Sequence, residues 1–164
     1  MELELVHYQS PLELILQSLG KTTFAFPVSL TLKFPVAARA GLENLRARAT
    51  SDVRNFIGAL EQEFFSAIQR RAGELLRAVT FSETHGSDQL RFHILFENPS
   101  NANLSQIQLG IYHAQRIIAY PFASACDFEW ATDWSSFAAK LLIKPEYDLA
   151  FEFGLSQRYA EART

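Results

Sequence analysis

The sequence predicts an α+β fold: a small antiparallel sheet with helices on one face, built as a single domain over residues 1–164. Three observations carry this. Apolar residues return every three or four positions from Leu42 to Val79, the period of one helix face. Several shorter segments alternate apolar and polar residues, the period of a half-buried strand. The strand-like segments after the long stripe also follow one another closely enough for antiparallel pairing, which a regular βαβ alternation would not give. No internal repeat, low-complexity tract or linker divides the chain.

Glu2 to Tyr8 reads as a short strand. Ser10-Pro11-Leu12-Glu13 then starts a helix: Ser10 caps, Pro11 suits the first helical position and Glu13 reaches back to the cap amide. Leu12, Ile15, Leu16 and Leu19 form its apolar face and Gly20 ends it. Tyr8 to Glu13 is similar to the openings of some bacterial proteins, a six-residue resemblance that implies no function.

Residues 22–36 admit two readings. Phe24, Phe26, Val28, Leu30, Leu32 and Phe34 alternate with smaller or polar residues, which favours a strand. Pro27 cannot donate to a ladder, so that strand is expected at an edge or a bulge. Phe24, Val28 and Leu32 also share a helical face, which leaves a short helix as the alternative.

The long stripe is expected to be one amphipathic helix over about 36–78. Its positions Leu42 to Val79 alone would span about 55 Å at 1.5 Å per residue. Thr50-Ser51-Asp52 is the weak point, since these residues favour caps, but the apolar phase runs through it unbroken. A helix of that length exceeds the span of most small domains. The stripe therefore either packs across this chain's own sheet, the usual fate of an amphipathic helix, or leaves Leu42, Leu45, Ala49, Val53 and Phe56 as candidates for an interface with a second copy or another protein.

Val79 to Glu83 and Leu90 to Phe96 read as a hairpin around His85-Gly86-Ser87-Asp88. Residues 104–119 again admit helix or strand. Leu104, Ile107, Ile111, Ala114 and Ile118 make a helix face with Ser105 and Gln108 as a capping box, while Gly110 and the alternation Ile107, Leu109, Ile111 argue against it. Cys126, Phe128 and Trp130 suggest a short strand, Asp133 to Leu142 a helix, and Tyr147 to Leu155 a half-buried strand.

Composition excludes several functions. The net charge is −3, and a nucleic-acid-binding domain usually carries a basic excess, so no nucleic-acid partner is expected. Cys126 is the single cysteine, which rules out an internal disulfide and agrees with a reducing, cytoplasmic setting. No signal peptide or transmembrane segment is visible. The seven glycines are scattered, with no phosphate-binding loop.

The side chains that could carry chemistry are few. His7, His85, His93 and His113 are far apart in sequence and lack the spacing of a metal site, so no metal or other cofactor is expected. Cys126 with His93 or His113 would make a thiol nucleophile and base, yet Asp127 and Glu129 beside it oppose a thiolate. Asp127, Glu129 and Asp133 could pair for acid–base work, or be a solvated strand face. The hydroxyl, imidazole and carboxylate of Thr84 to Asp88 suit a turn. Arg39, Arg46, Arg48 and Arg54 suit a solvated helix face.

No constellation in the sequence points to an enzyme. The leading expectation is a non-catalytic interaction or oligomerisation module, working as a homodimer or on another protein. Fourteen phenylalanines suggest an alternative, a binder of a small apolar ligand with Phe24, Phe26, Phe92, Phe96, Phe151 and Phe153 lining its pocket. A small hydrolase or transferase using Cys126, His93 or the Asp127–Glu129 pair is the third expectation.

Overall fold

The computed structural model describes residues 27–35, 42–85, 89–98, 102–116, 124–130 and 148–156. The expected elements at 2–8, 10–20 and 133–142, and the turn at 86–88, lie outside them. In chain order the described elements are β1 (Pro27–Pro35), α1 (Leu42–Phe64), α2 (Ala67–Arg71), β2 (Ala78–His85), β3 (Gln89–Glu97), α3 (Leu104–Gln115), β4 (Ser124–Trp130), β5 (Asp148–Phe151) and a 3₁₀ turn at Phe153–Leu155. The five strands form one sheet in the order β4-β1-β3-β2-β5, with every pair antiparallel. The α+β architecture is therefore the one the hydrophobic periods indicate.

The ambiguous 27–35 segment is a strand, and it lies inside the sheet. It pairs with β3 from Pro27↔Glu97 to Pro35↔Gln89 and with β4 on its other side. An edge or a bulge was expected from Pro27; the ladder with β4 does shift register, but between Thr31 and Lys33. Proline is tolerated here because it is the first residue of the strand, and the ladder with β4 begins one residue later, at Val28↔Trp130.

Period two sets the two faces. Val28, Leu30, Leu32 and Phe34 of β1 and Leu90, Phe92, Ile94 and Phe96 of β3 share one face and are buried. Onto this face pack Leu45, Ala49, Val53, Phe56, Ile57 and Leu60 of α1, with Ile107, Ile111 and Ala114 of α3 in the same core cluster. Phe34 and Phe92 meet edge to face, centroids 5.8 Å apart, an arrangement worth about 0.5–1.5 kcal/mol beyond its area burial.

The long stripe is not one helix over 36–78. Residues 36–41 are outside the described segments, and α1 runs from Leu42 to Phe64, about 35 Å at the helical rise. Thr50-Ser51-Asp52 lies within it without a break. The helix ends because Ser66 turns extended (φ −61°, ψ 161°) and caps a new one: its hydroxyl accepts from the Gln69 amide at 3.3 Å and its amide donates to Gln69 Oε1 at 2.9 Å. That second helix, α2, lasts five residues. Gly73 (φ 85°) donates to Arg70 O at 3.1 Å and Glu74 donates to Gln69 O at 3.0 Å, the paired bonds of a Schellman stop. Glu61 then accepts from the Leu76 amide at 2.9 Å, which draws the chain back along α1 toward β2.

Residues 104–115 are helical, with the cap two residues earlier than the Ser105–Gln108 box expected. Asn103 accepts from the Gln106 amide at 3.0 Å and donates its own to Gln106 Oε1 at 2.8 Å. Gly110, which counted against the helix, is where α3 meets α1. A Cβ there would stand 3.1 Å from two ring atoms of Phe64, so the missing side chain admits the Phe64 ring. The strand expected through Leu155 stops at Phe151. The Glu152 amide instead donates to Thr80 O at 2.9 Å, and the chain turns under Leu155, whose amide bonds Glu152 O at 3.1 Å.

Candidate functional site

The sheet face opposite α1 carries an unusual load for a buried surface. Val79, Phe81 and Leu95 there are solvent-free, and so is Glu83, while His93 is 8% exposed. A buried carboxylate is tolerable only with compensating charge or donors around it. The register supplies them. Thr31 lies directly opposite His93, Arg91 directly opposite Glu83, and Phe81 opposite His93 on the other side. Glu83 therefore stands diagonal to His93 on the neighbouring strand, within reach of its ring.

His93 Nε2 stands 2.9 Å from Glu83 Oε1, and Nδ1 stands 2.9 Å from Thr31 Oγ1. A carboxylate only accepts, so this contact favours the ring proton on Nε2, which leaves Nδ1 to accept from the Thr31 hydroxyl. The Nε2–Oε1 approach is close but off the N–H axis, so it acts mainly as an electrostatic contact. Arg91 Nη1 is 3.7 Å from Glu83 Oε1, and Arg91 Nε donates to Gln89 Oε1 at 2.6 Å. Lys33, in register with Arg91, brings a second cation to the same face. Thr31 also pairs with Asp127 and Ser29 with Glu129, which sets the two acidic residues of β4 in the backbone rows of His93 and Leu95.

A second polar group ties the helix layer to the sheet. Arg46 Nη1 donates to Ser82 Oγ at 3.0 Å and lies 3.4 Å from Glu152 Oε1, to which the Ser82 hydroxyl also donates. Thr80 and Ser156 close it: the Thr80 amide donates to Ser156 Oγ at 3.0 Å and the Ser156 hydroxyl to Glu152 O at 2.9 Å. Every member has a partner within the group, so it fastens α1, β2 and the 3₁₀ turn together.

The residues singled out by sequence fall as follows. Leu45, Ala49, Val53 and Phe56 are buried in this chain's own core; Leu42 begins α1, and its side chain is outside the description. These four cannot also face a partner while the core is intact, because the sheet already covers the stripe. Phe92 and Phe96 lie in the core facing α1, whereas Phe151 packs edge to face on Phe81, centroids 5.2 Å apart, across the sheet. These three phenylalanines therefore do not converge on one pocket. Phe24 and Phe26 are outside the described residues, as is the side chain of Phe153. Cys126 lies on β4, with β1 between that strand and His93. His113 reaches Glu63 at 3.2 Å across α1 and α3 on the surface.

Sequence reasoning identified His93 but missed Thr31 and Glu83, which stand 62 and 10 residues away from it; only the strand register joins them. It also missed the apolar residues the fold leaves in solvent. Ile68 on α2 is 79% exposed, and Leu109 and Tyr112 on α3 are 53% and 59% exposed. Leu109 and Tyr112 are three apart, so they share one side of α3, opposite Ile107 and Ile111. Among the described residues no three His, Cys, Asp or Glu side chains form a group that could hold a metal, and no helix is long and apolar enough to cross a membrane. No protein-family model, no characterised protein and no solved structure matches this chain.

Proposed function

We propose that this chain is an association module of the bacterial cytoplasm whose partner is a second copy of itself. The contact surface is the apolar set left outside the fold by α2 and α3. The observation that carries this reading is the exposure of Ile68, Leu109 and Tyr112, two large aliphatic side chains and an aromatic ring. Tyrosine is among the residues that dominate binding energy at protein interfaces, and adjacent apolar side chains such as Leu109 and Tyr112 on one side of α3 are where an apolar contact patch would form. The stripe on α1 supports the same placement indirectly, since its apolar residues are already used. The net charge of −3 favours a protein partner over a polyanion.

Light scattering coupled to size exclusion, over a wide range of protein concentration, tests it. The mass should be that of a dimer at high concentration and fall on dilution. Leu109→Glu and Tyr112→Glu should shift the equilibrium to monomer with the circular dichroism spectrum unchanged, because both side chains lie outside the core. A wild-type chain that stays monomeric throughout would overturn the reading.

A further inference from the structure

We propose that Thr31, His93 and Glu83 form a hydroxyl–imidazole–carboxylate relay that makes Thr31 Oγ1 a nucleophile toward carboxylic esters. The argument begins with the two ring contacts of His93, each 2.9 Å, to a hydroxyl on one nitrogen and a carboxylate on the other. This is the constellation that activates hydroxyl nucleophiles in acyl transfer, and it is recognised by geometry and not by sequence order. Exposure is graded along it: Glu83 is solvent-free, His93 nearly so, and Thr31 partly open. The residue that must meet a substrate is thus the one nearest to water. The carboxylate that must hold the imidazole is the one farthest from it. The off-axis Nε2 contact fits a resting state, since catalytic hydrogen bonds often tighten only when substrate binds.

Each group has a defined part. Thr31 Oγ1 attacks the acyl carbon and its proton passes to His93 Nδ1, so an Oγ1–C bond forms while the O–H bond breaks. The carbon–alkoxide bond then breaks, and the alcohol leaves with the proton from Nδ1. Water reverses the sequence and releases the acid. Glu83 is a positioning residue: it holds the Nε2 proton and offsets the charge that develops on the imidazole. Lys33 and Arg91, opposite one another in register, put two cations on the sheet face that carries Thr31, a setting that favours the negative charge of a tetrahedral intermediate.

An alkyl fluorophosphonate tests this on the intact chain, because it reacts with activated hydroxyls by forming an Oγ–P bond and expelling fluoride. Mass spectrometry should place the adduct on Thr31. Thr31→Ala should abolish it, Thr31→Ser should retain it, and His93→Gln should slow it by about 10²–10⁴-fold, the usual contribution of a general base. Glu83→Gln should slow it and shift the pH profile of labelling, which a purely structural carboxylate would not do. No adduct on the folded wild-type chain would overturn the proposal, as would an adduct on Thr31 that survives His93→Gln at full rate. If a variant fails to fold, the wild-type and Thr31→Ser results still decide.

Discussion

Glu83 shows how a single buried carboxylate is made tolerable. Its neighbours on β3, His93 and Arg91, stand on the same face at 2.9 and 3.7 Å, and neither is adjacent to it in the chain. Removing one member of a buried charged group leaves the others uncompensated, which costs about 3–5 kcal/mol. Glu83→Ala should therefore lower the unfolding free energy by an amount of that order in urea denaturation. Glu83→Gln should cost less, because the amide keeps the shape of the side chain and a polar oxygen facing the ring, and buries no unpaired charge. The exposed pair His113–Glu63, with side chains 41% and 37% accessible, is the contrast. Water screens it and both side chains keep their freedom, so Glu63→Gln should change stability by no more than about 1 kcal/mol.

At the scale of elements, glycine separates close contact from open space. Gly58 lies inside α1 with nothing within 4 Å of a built Cβ, so Gly58→Ala should raise stability by up to about 1 kcal/mol through helix propensity alone. Gly110 lies inside α3 with the Phe64 ring 3.1 Å from the same point, and Phe64 in turn packs on Phe96 with centroids 6.3 Å apart. Gly110→Val should cost about 1–3 kcal/mol, because the branched side chain overpacks the seam between the helices. Thermal melts of the two variants should move in opposite directions. The ends of these helices show what the sequence did and did not convey. Ser66, Gln69 and Gly73 carry the start and stop of α2 in plain view, yet an apolar phase running past them suggested one longer helix. Local caps won, because the capping box and the Schellman stop satisfy backbone groups that a continuous helix would satisfy no better. In α3 the face Ile107, Ile111 and Ala114 was readable, while its cap was displaced by two residues because Asn103 and Ser105 offer the same motif.

For the whole molecule, period two and period 3.6 identify the class of fold but not what lies across from each face. The alternation of β1 and β3 was visible, and so was the stripe of α1. That the stripe packs on the sheet was expected; which residues meet was not legible, since it depends on pairing residues as distant as Pro27 and Glu97. The same non-local register brings Thr31 to His93. This architecture also predicts an uneven distribution of local stability. β1 and β3 are paired along nine residues and each is flanked on its other side by a further strand. Their amides should exchange with deuterium only through global unfolding. The α2 segment contributes no buried residue, so opening it loses only backbone bonds and its caps, and its amides should exchange fastest among the described helices. If Ile68, Leu109 and Tyr112 are the contact surface of a dimer, raising the protein concentration should slow exchange in α2 and α3 and leave β1 and β3 unchanged. Exchange in α2 that is independent of concentration, while light scattering reports a dimer, would move the interface elsewhere on the molecule.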